Sequence, residues 1–162
     1  MAGDPRQTVD DIFRHINAGQ VDEAEALCRT VLEKDPEDIN VLGILGAILL
    51  QKGQLEDAES YLLKTIELEP AFAKPHEDLG LLYFRQDDQT RAAEFFLKAT
   101  QLDPNAATAF RGLADSSLRG GNREQAEAAH RRFLELSPDA KTLAQAEKLH
   151  REGKSEEAES LC

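Results

Sequence analysis

The stretch PAFAKPHEDLGLLYFRQDDQTRAAEFFLKATQLDP, from Pro70 to Pro104, decides the architecture. Its first half places Leu79, Leu82 and Tyr83 three and four residues apart, the spacing of one face of a helix. A polar break at Gln86-Asp87-Asp88-Gln89 follows, and Ala92, Phe96 and Ala99 then repeat the helical spacing. Proline closes each end, where a backbone without an N–H stops one helix and leads into the next. The segment is a helix–turn–helix unit bounded by Glu69-Pro70 and Asp103-Pro104.

Outward from that unit, the same letters recur at a fixed step. Pro36, Pro70, Pro104 and Pro138 are spaced 70 − 36 = 34 residues apart each time. Ala24, Ala58, Ala92 and Ala126 keep the step, as do Gly19, Gly53, Asp87 and Gly121 and the column Asp11, Leu45, Leu79 and Leu113. Several columns at one period signal a solenoid of stacked hairpins. The glycine column closes each first helix, in a left-handed conformation that aspartate tolerates better than most residues. The alanine column lies early in each second helix, where a small side chain lets the two helices approach. Helices are therefore expected at about 6–18 with 21–34, 39–52 with 55–68, 73–86 with 89–102 and 107–120 with 123–136. A fifth first helix is expected at about 141–152. The whole chain, 1–162, reads as one domain with repeats at about 5–38, 39–72, 73–106 and 107–140 and a partial fifth at 141–162. No strand is expected.

These residues resemble the tetratricopeptide repeat family over essentially the whole chain. The third unit carries most of its pattern in Leu79-Gly80, Tyr83, Ala92, Phe96, Ala99 and Pro104; the second carries Leu45-Gly46, Ala58, Leu62 and Pro70. The fourth is looser, with Ala114, Ser117 and His130, and no unit has the tryptophan that often begins the first helix. The resemblance implies an all-α fold, a right-handed α-solenoid of tandem helix–turn–helix repeats. Gly153 to Cys162 echoes Gly19 to Cys28, but Ala158 stands two residues ahead of the grid. The chain then ends midway through an expected helix without a polar cap, which suggests a segment of a longer protein.

Composition narrows the function. Apolar residues at 41% can fill a core, and aromatics at only 6% suit leucine- and alanine-packed helices. A net charge of 19 − 31 = −12 repels phosphate backbones and anionic membranes, so neither nucleic acid nor membrane is an expected partner. The longest apolar run, Val41 to Leu50, is about half a bilayer span. Cys28 and Cys162 form no disulfide framework and read as reduced thiols, which points to the cytoplasm.

A search for chemistry returns little. Arg119-Gly120-Gly121-Asn122 is a helix-ending turn, and no nucleotide-binding glycine motif occurs. His15, His76, His130 and His150 have no metal spacing, and His15, His130 and Cys28 occupy columns held elsewhere by core residues. The pairs Asp22-Glu23, Glu56-Asp57 and Glu156-Glu157 open second helices, where they favour the helix dipole. No enzyme activity, cofactor or metal is expected.

What remains is surface. In the family that the chain resembles, first helices line a concave groove. The corresponding columns here read Val9, Gly43, Glu77, Arg111; Phe13, Ala47, Leu81, Asp115; Ile16, Leu50, Phe84, Leu118; and Asn17, Gln51, Arg85, Arg119. The floor is apolar near the N-terminus and basic toward the C-terminus. The expected site is Phe13, Ala47, Leu50, Lys74, Leu81, Phe84, Arg85, Arg111, Asp115 and Arg119. Its expected ligand is a peptide or helix of a protein partner with an apolar anchor and acidic residues. Clamping of chaperone carboxylate tails is not expected, because the places used for it hold Val9, Phe13, Ile44, Lys74 and Asp78, of which only Lys74 fits. Two further possibilities are an arm of a larger enzyme, of sulfotransferase or oxygenase type, and self-association through the uncapped C-terminal end.

Overall fold

The computed structural model describes residues 5–152, and its nine helices among those residues form a right-handed α-solenoid of tandem hairpins. Helix α1 (Pro5–Asn17) pairs with α2 (Val21–Lys34), α3 (Ile39–Gln51) with α4 (Leu55–Leu68), α5 (Ala73–Arg85) with α6 (Gln89–Leu102), and α7 (Ala107–Arg119) with α8 (Arg123–Leu136). Helix α9 (Pro138–Arg151) follows. Residues 153–162, on which the fifth-repeat echo, Cys162 and the self-associating end fall, lie outside the described residues.

The columns have the physical roles expected of them. Gly19, Gly53 and Gly121 adopt φ of +74°, +77° and +83°, and Asp87 takes the same left-handed turn at +63°. Ala24, Ala58 and Ala92 are fully buried, and Ala126 nearly so. Each acid ahead of a proline closes its turn: Asp35, Glu69 and Asp103 accept from the backbone N–H two residues on, at Glu37, Ala71 and Asn105.

Ser137 lacks a carboxylate, and here the structure departs from expectation. Helix α9 begins at Pro138 itself, with the Lys141 N–H already bonded to the Ser137 carbonyl at 3.0 Å, so the expected start at 141 comes three residues early.

The core runs along the stack between the two helix layers, through Ile12, Cys28, Leu45, Leu62, Leu79, Phe96 and Leu113. Gly46 and Gly80 admit the Leu62 and Phe96 side chains to the helix backbone, since a Cβ there would lie 2.7 and 2.8 Å from them. The equivalent position in the fourth unit is Ala114, which is buried. His130 is exposed and lies beside Phe133, not partly buried as its column suggested. His15 is half-buried and bonded to Gln20 at 3.1 Å. Glu59 is half-buried and accepts the Tyr83 hydroxyl at 2.5 Å, tying α4 to α5.

First helices touch across repeats, α3 against α5 and α5 against α7, whereas the second helices make no comparable contact with one another. The stack therefore curves with the first helices inside. Among the described residues, no helix is long and apolar enough to cross a membrane.

Candidate ligand groove

Helix α3, INVLGILGAILLQ, carries no charged residue, so the inner face it shares with α1 and α5 is apolar. Between these helices lies a hollow of about 310 Å³. Its walls include Phe13, Ile44, Ala47, Ile48 and Phe72. Phe13 is 47% exposed on this face.

Lys74 and Asp78 stand at the edge of this hollow, 2.8 Å apart, and Lys74 also meets Glu77 at 2.8 Å. Burial pushes the Asp78 carboxyl above its ordinary range, although Lys74 works against it. Burial would likewise lower the Lys74 ammonium, but Asp78 and Glu77 together outweigh it and leave it raised. Lys74 is thus paired with two carboxylates of its own helix.

A second hollow, of about 380 Å³, opens between α5 and α7. Leu81, Phe84, Arg111 and Asp115 line it together with Glu77 and Thr108, whose hydroxyl donates to Glu77 at 3.0 Å. Arg111 makes no hydrogen bond or ion pair among the described residues. The other two arginines are engaged, but not by acids. Arg85 donates to the Leu50 carbonyl at 2.7 Å, and Arg119 lies over the Phe84 ring at 4.4 Å.

The sequence-predicted residues therefore separate into two groups. Phe13, Ala47 and Lys74 meet in the first hollow; Leu81, Phe84, Arg111 and Asp115 meet in the second; Arg85 and Arg119 line neither. Leu50 is only 3% exposed, so its side chain belongs to the core and only its carbonyl reaches the inner face, through Arg85. Its helical column drifts inward here because α3 is packed from both sides. The sequence reading left Asn40, Ile48, Phe72 and Pro75 out of the first hollow. Phe72, an aromatic in a turn just before a helix, was the available signal for that wall.

A family model described as tetratricopeptide repeat matches residues 15–76, and a second with the same description matches 46–107 and again 78–141. Comparison with curated protein sequences gives no match. Among solved structures, a crystal structure of MamA protein is similar at 22% identity, with 96% of this chain and 86% of that chain covered and a TM-score of 0.73. A structure from the functional characterisation of Pseudomonas aeruginosa PilF is similar at 20% identity, covering 96% and 72%, with a TM-score of 0.77. At these identities the likeness shows the fold.

Proposed function

Because the chain belongs to the tetratricopeptide repeat family, we propose that it is a non-catalytic interaction scaffold whose concave face seats an extended or helical segment of a partner protein. The observation that carries this reading is the apolar hollow of α1, α3 and α5 beside a second hollow holding the uncommitted Arg111. A ligand would bury an apolar anchor against Phe13 and Ala47 and bring a carboxylate to Arg111, whose planar fork suits bidentate contact. With a net charge of −12, the chain repels an acidic ligand at long range. Recognition must then be local, within a Debye length of about 8–10 Å.

The test is to select peptides from a phage-displayed library against the wild-type chain and measure their affinity for variants. Ala47→Arg, which projects a charge into the first hollow, should weaken them at least tenfold. Arg111→Glu, and Arg85→Glu with Arg119→Glu, should cost roughly 1–3 kcal/mol, or about 5- to 150-fold. Arg111→Glu is the cleaner arm, because Arg85→Glu also breaks the bond to the Leu50 carbonyl. Arg131→Glu, on the exposed face of α8, should leave affinity unchanged. Peptides indifferent to every inner-face variant would remove the groove as the binding site.

A further inference from the structure

The first helices contain four glycines within their spans that face other side chains, and three are explained by packing inside the molecule. A Cβ at Gly46 would lie 2.7 Å from Leu62, one at Gly80 2.8 Å from Phe96, and one at Gly112 2.4 Å from Phe96. Gly43 is different. A Cβ there would meet Phe72 and Thr65 at 3.7 Å and Pro75 at 3.9 Å, which are ordinary van der Waals distances. Its backbone is helical, so no left-handed turn requires it. Glycine inside a helix destabilises it relative to alanine, and nothing within the chain compensates for that cost at this position. Gly43 does, however, form part of the wall of the 310 Å³ hollow, beside Ala47.

The hollow is also electrically closed. The only ionisable side chains among its lining residues are Lys74 and Asp78, paired at 2.8 Å, and the one cation among them is held by Glu77 as well. A charged group entering would lose its hydration and find no free partner. At about 310 Å³ the space is at the lower end of ligand sites, roughly 300–1,000 Å³, enough for one or two side chains but not for a folded element.

We propose that Gly43 is a specificity-determining residue: its missing side chain admits one uncharged, leucine- or phenylalanine-sized side chain of a bound peptide against the α3 backbone. This rests on the groove reading above and names the chemistry of its anchor.

The experiment uses three solutes that share a ring and differ in charge: toluene, benzoate and benzylammonium. Each is titrated into the isotope-labelled chain while the amide resonances are followed. Toluene should shift the amides of Gly43, Ile44 and Ala47, and the two charged rings should bind at least tenfold more weakly. Gly43→Ala should weaken toluene several-fold while melting about 1–4 °C above wild type, since the added methyl meets no clash and stiffens the unfolded chain. Gly43→Leu should abolish the shifts. Equal binding of charged and neutral rings, or toluene binding untouched by Gly43→Leu, overturns the proposal. The phage-selected peptides separate it from the broader reading. If they bind Gly43→Leu normally but fail on Ala47→Arg and Arg111→Glu, the groove stands and the role of Gly43 falls. If they ignore all three, the groove reading itself has failed.

Discussion

Gly112→Ala should destabilise this solenoid even though alanine is the better helix former, and the reason is a single ring. A Cβ at residue 112 would sit 2.4 Å from Cε1 and Cζ of Phe96 and 2.7 Å from Cε2, where ordinary contacts begin near 3.4 Å. The ring must retreat by about an ångström, yet it is 4% exposed and also fills the notch at Gly80, so retreat on one side is compression on the other. Overpacking of this kind costs about 1–3 kcal/mol. The helix gains roughly 0.5–1 kcal/mol from replacing glycine, which leaves a net loss of about 0–2.5 kcal/mol. Phe96→Leu removes all three offending ring atoms, so in that background Gly112→Ala should reverse sign and stabilise by roughly 0.5–1 kcal/mol. Urea unfolding followed by helical circular dichroism, across the four proteins of the cycle, reads the coupling directly. An equal effect of Gly112→Ala in both backgrounds would show that Phe96 does not set the approach of α6 and α7.

Ala92→Leu should lower the melting temperature through about 1–3 kcal/mol of strain at a fully buried helix crossing; an unchanged melting temperature would refute the role assigned to the alanine column. Cys28 should react slowly with a thiol reagent in the folded chain, because it is fully buried and burial pushes its thiol up to about 12; labelling as fast as in urea would contradict this. His76 should make stability acid-sensitive: Nε2 bonds to the Pro70 carbonyl at 3.1 Å, buried Nδ1 has no partner, and burial, with Lys98 nearby, lowers its pKa below 6.5. A group that stays neutral in the fold gives stability that is present above pH 6.5 and lost as pH falls below it. His76→Gln, which can still donate to Pro70, should therefore flatten the decline in melting temperature between pH 7.5 and 5.5, and parallel declines would exclude His76 as its source.

The hairpins were legible because each rests on residues whose local chemistry forces one outcome. Asp87 is the strongest instance: it stands where the other units have glycine and still adopts the left-handed turn, so the column reports backbone conformation and not merely a letter. The misreadings occur where a column's physical cause was missing. Ser137 keeps the proline after it but not the carboxylate that closes the turn in the other repeats, and α9 starts early. His130 keeps its place in the phase, but the glycine of the second and third units is Ala114 in the fourth, and its ring is exposed. In both cases the altered residue is visible in the sequence.

The groove obeys the opposite logic, which is why less of it could be read. Core columns repeat because every hairpin solves the same packing problem, and so Gly46 and Gly80, or Ala58 and Ala92, are alike at 34-residue spacing. Inner-face columns are under no such common demand: Val9, Gly43, Glu77 and Arg111 share a position and nothing else. Periodicity locates that face but cannot weigh its members. Weighing them needs partners, because Arg85, Arg111 and Arg119 are one residue type in three situations: bonded to a carbonyl, uncommitted, and stacked on a ring. Only the second has its full donor set available to a ligand. By the same reasoning, Gly43 differs from Gly46 three residues away only in what surrounds it. A glycine that packing requires belongs to the fold, and a glycine that packing does not require is where a ligand has room to enter.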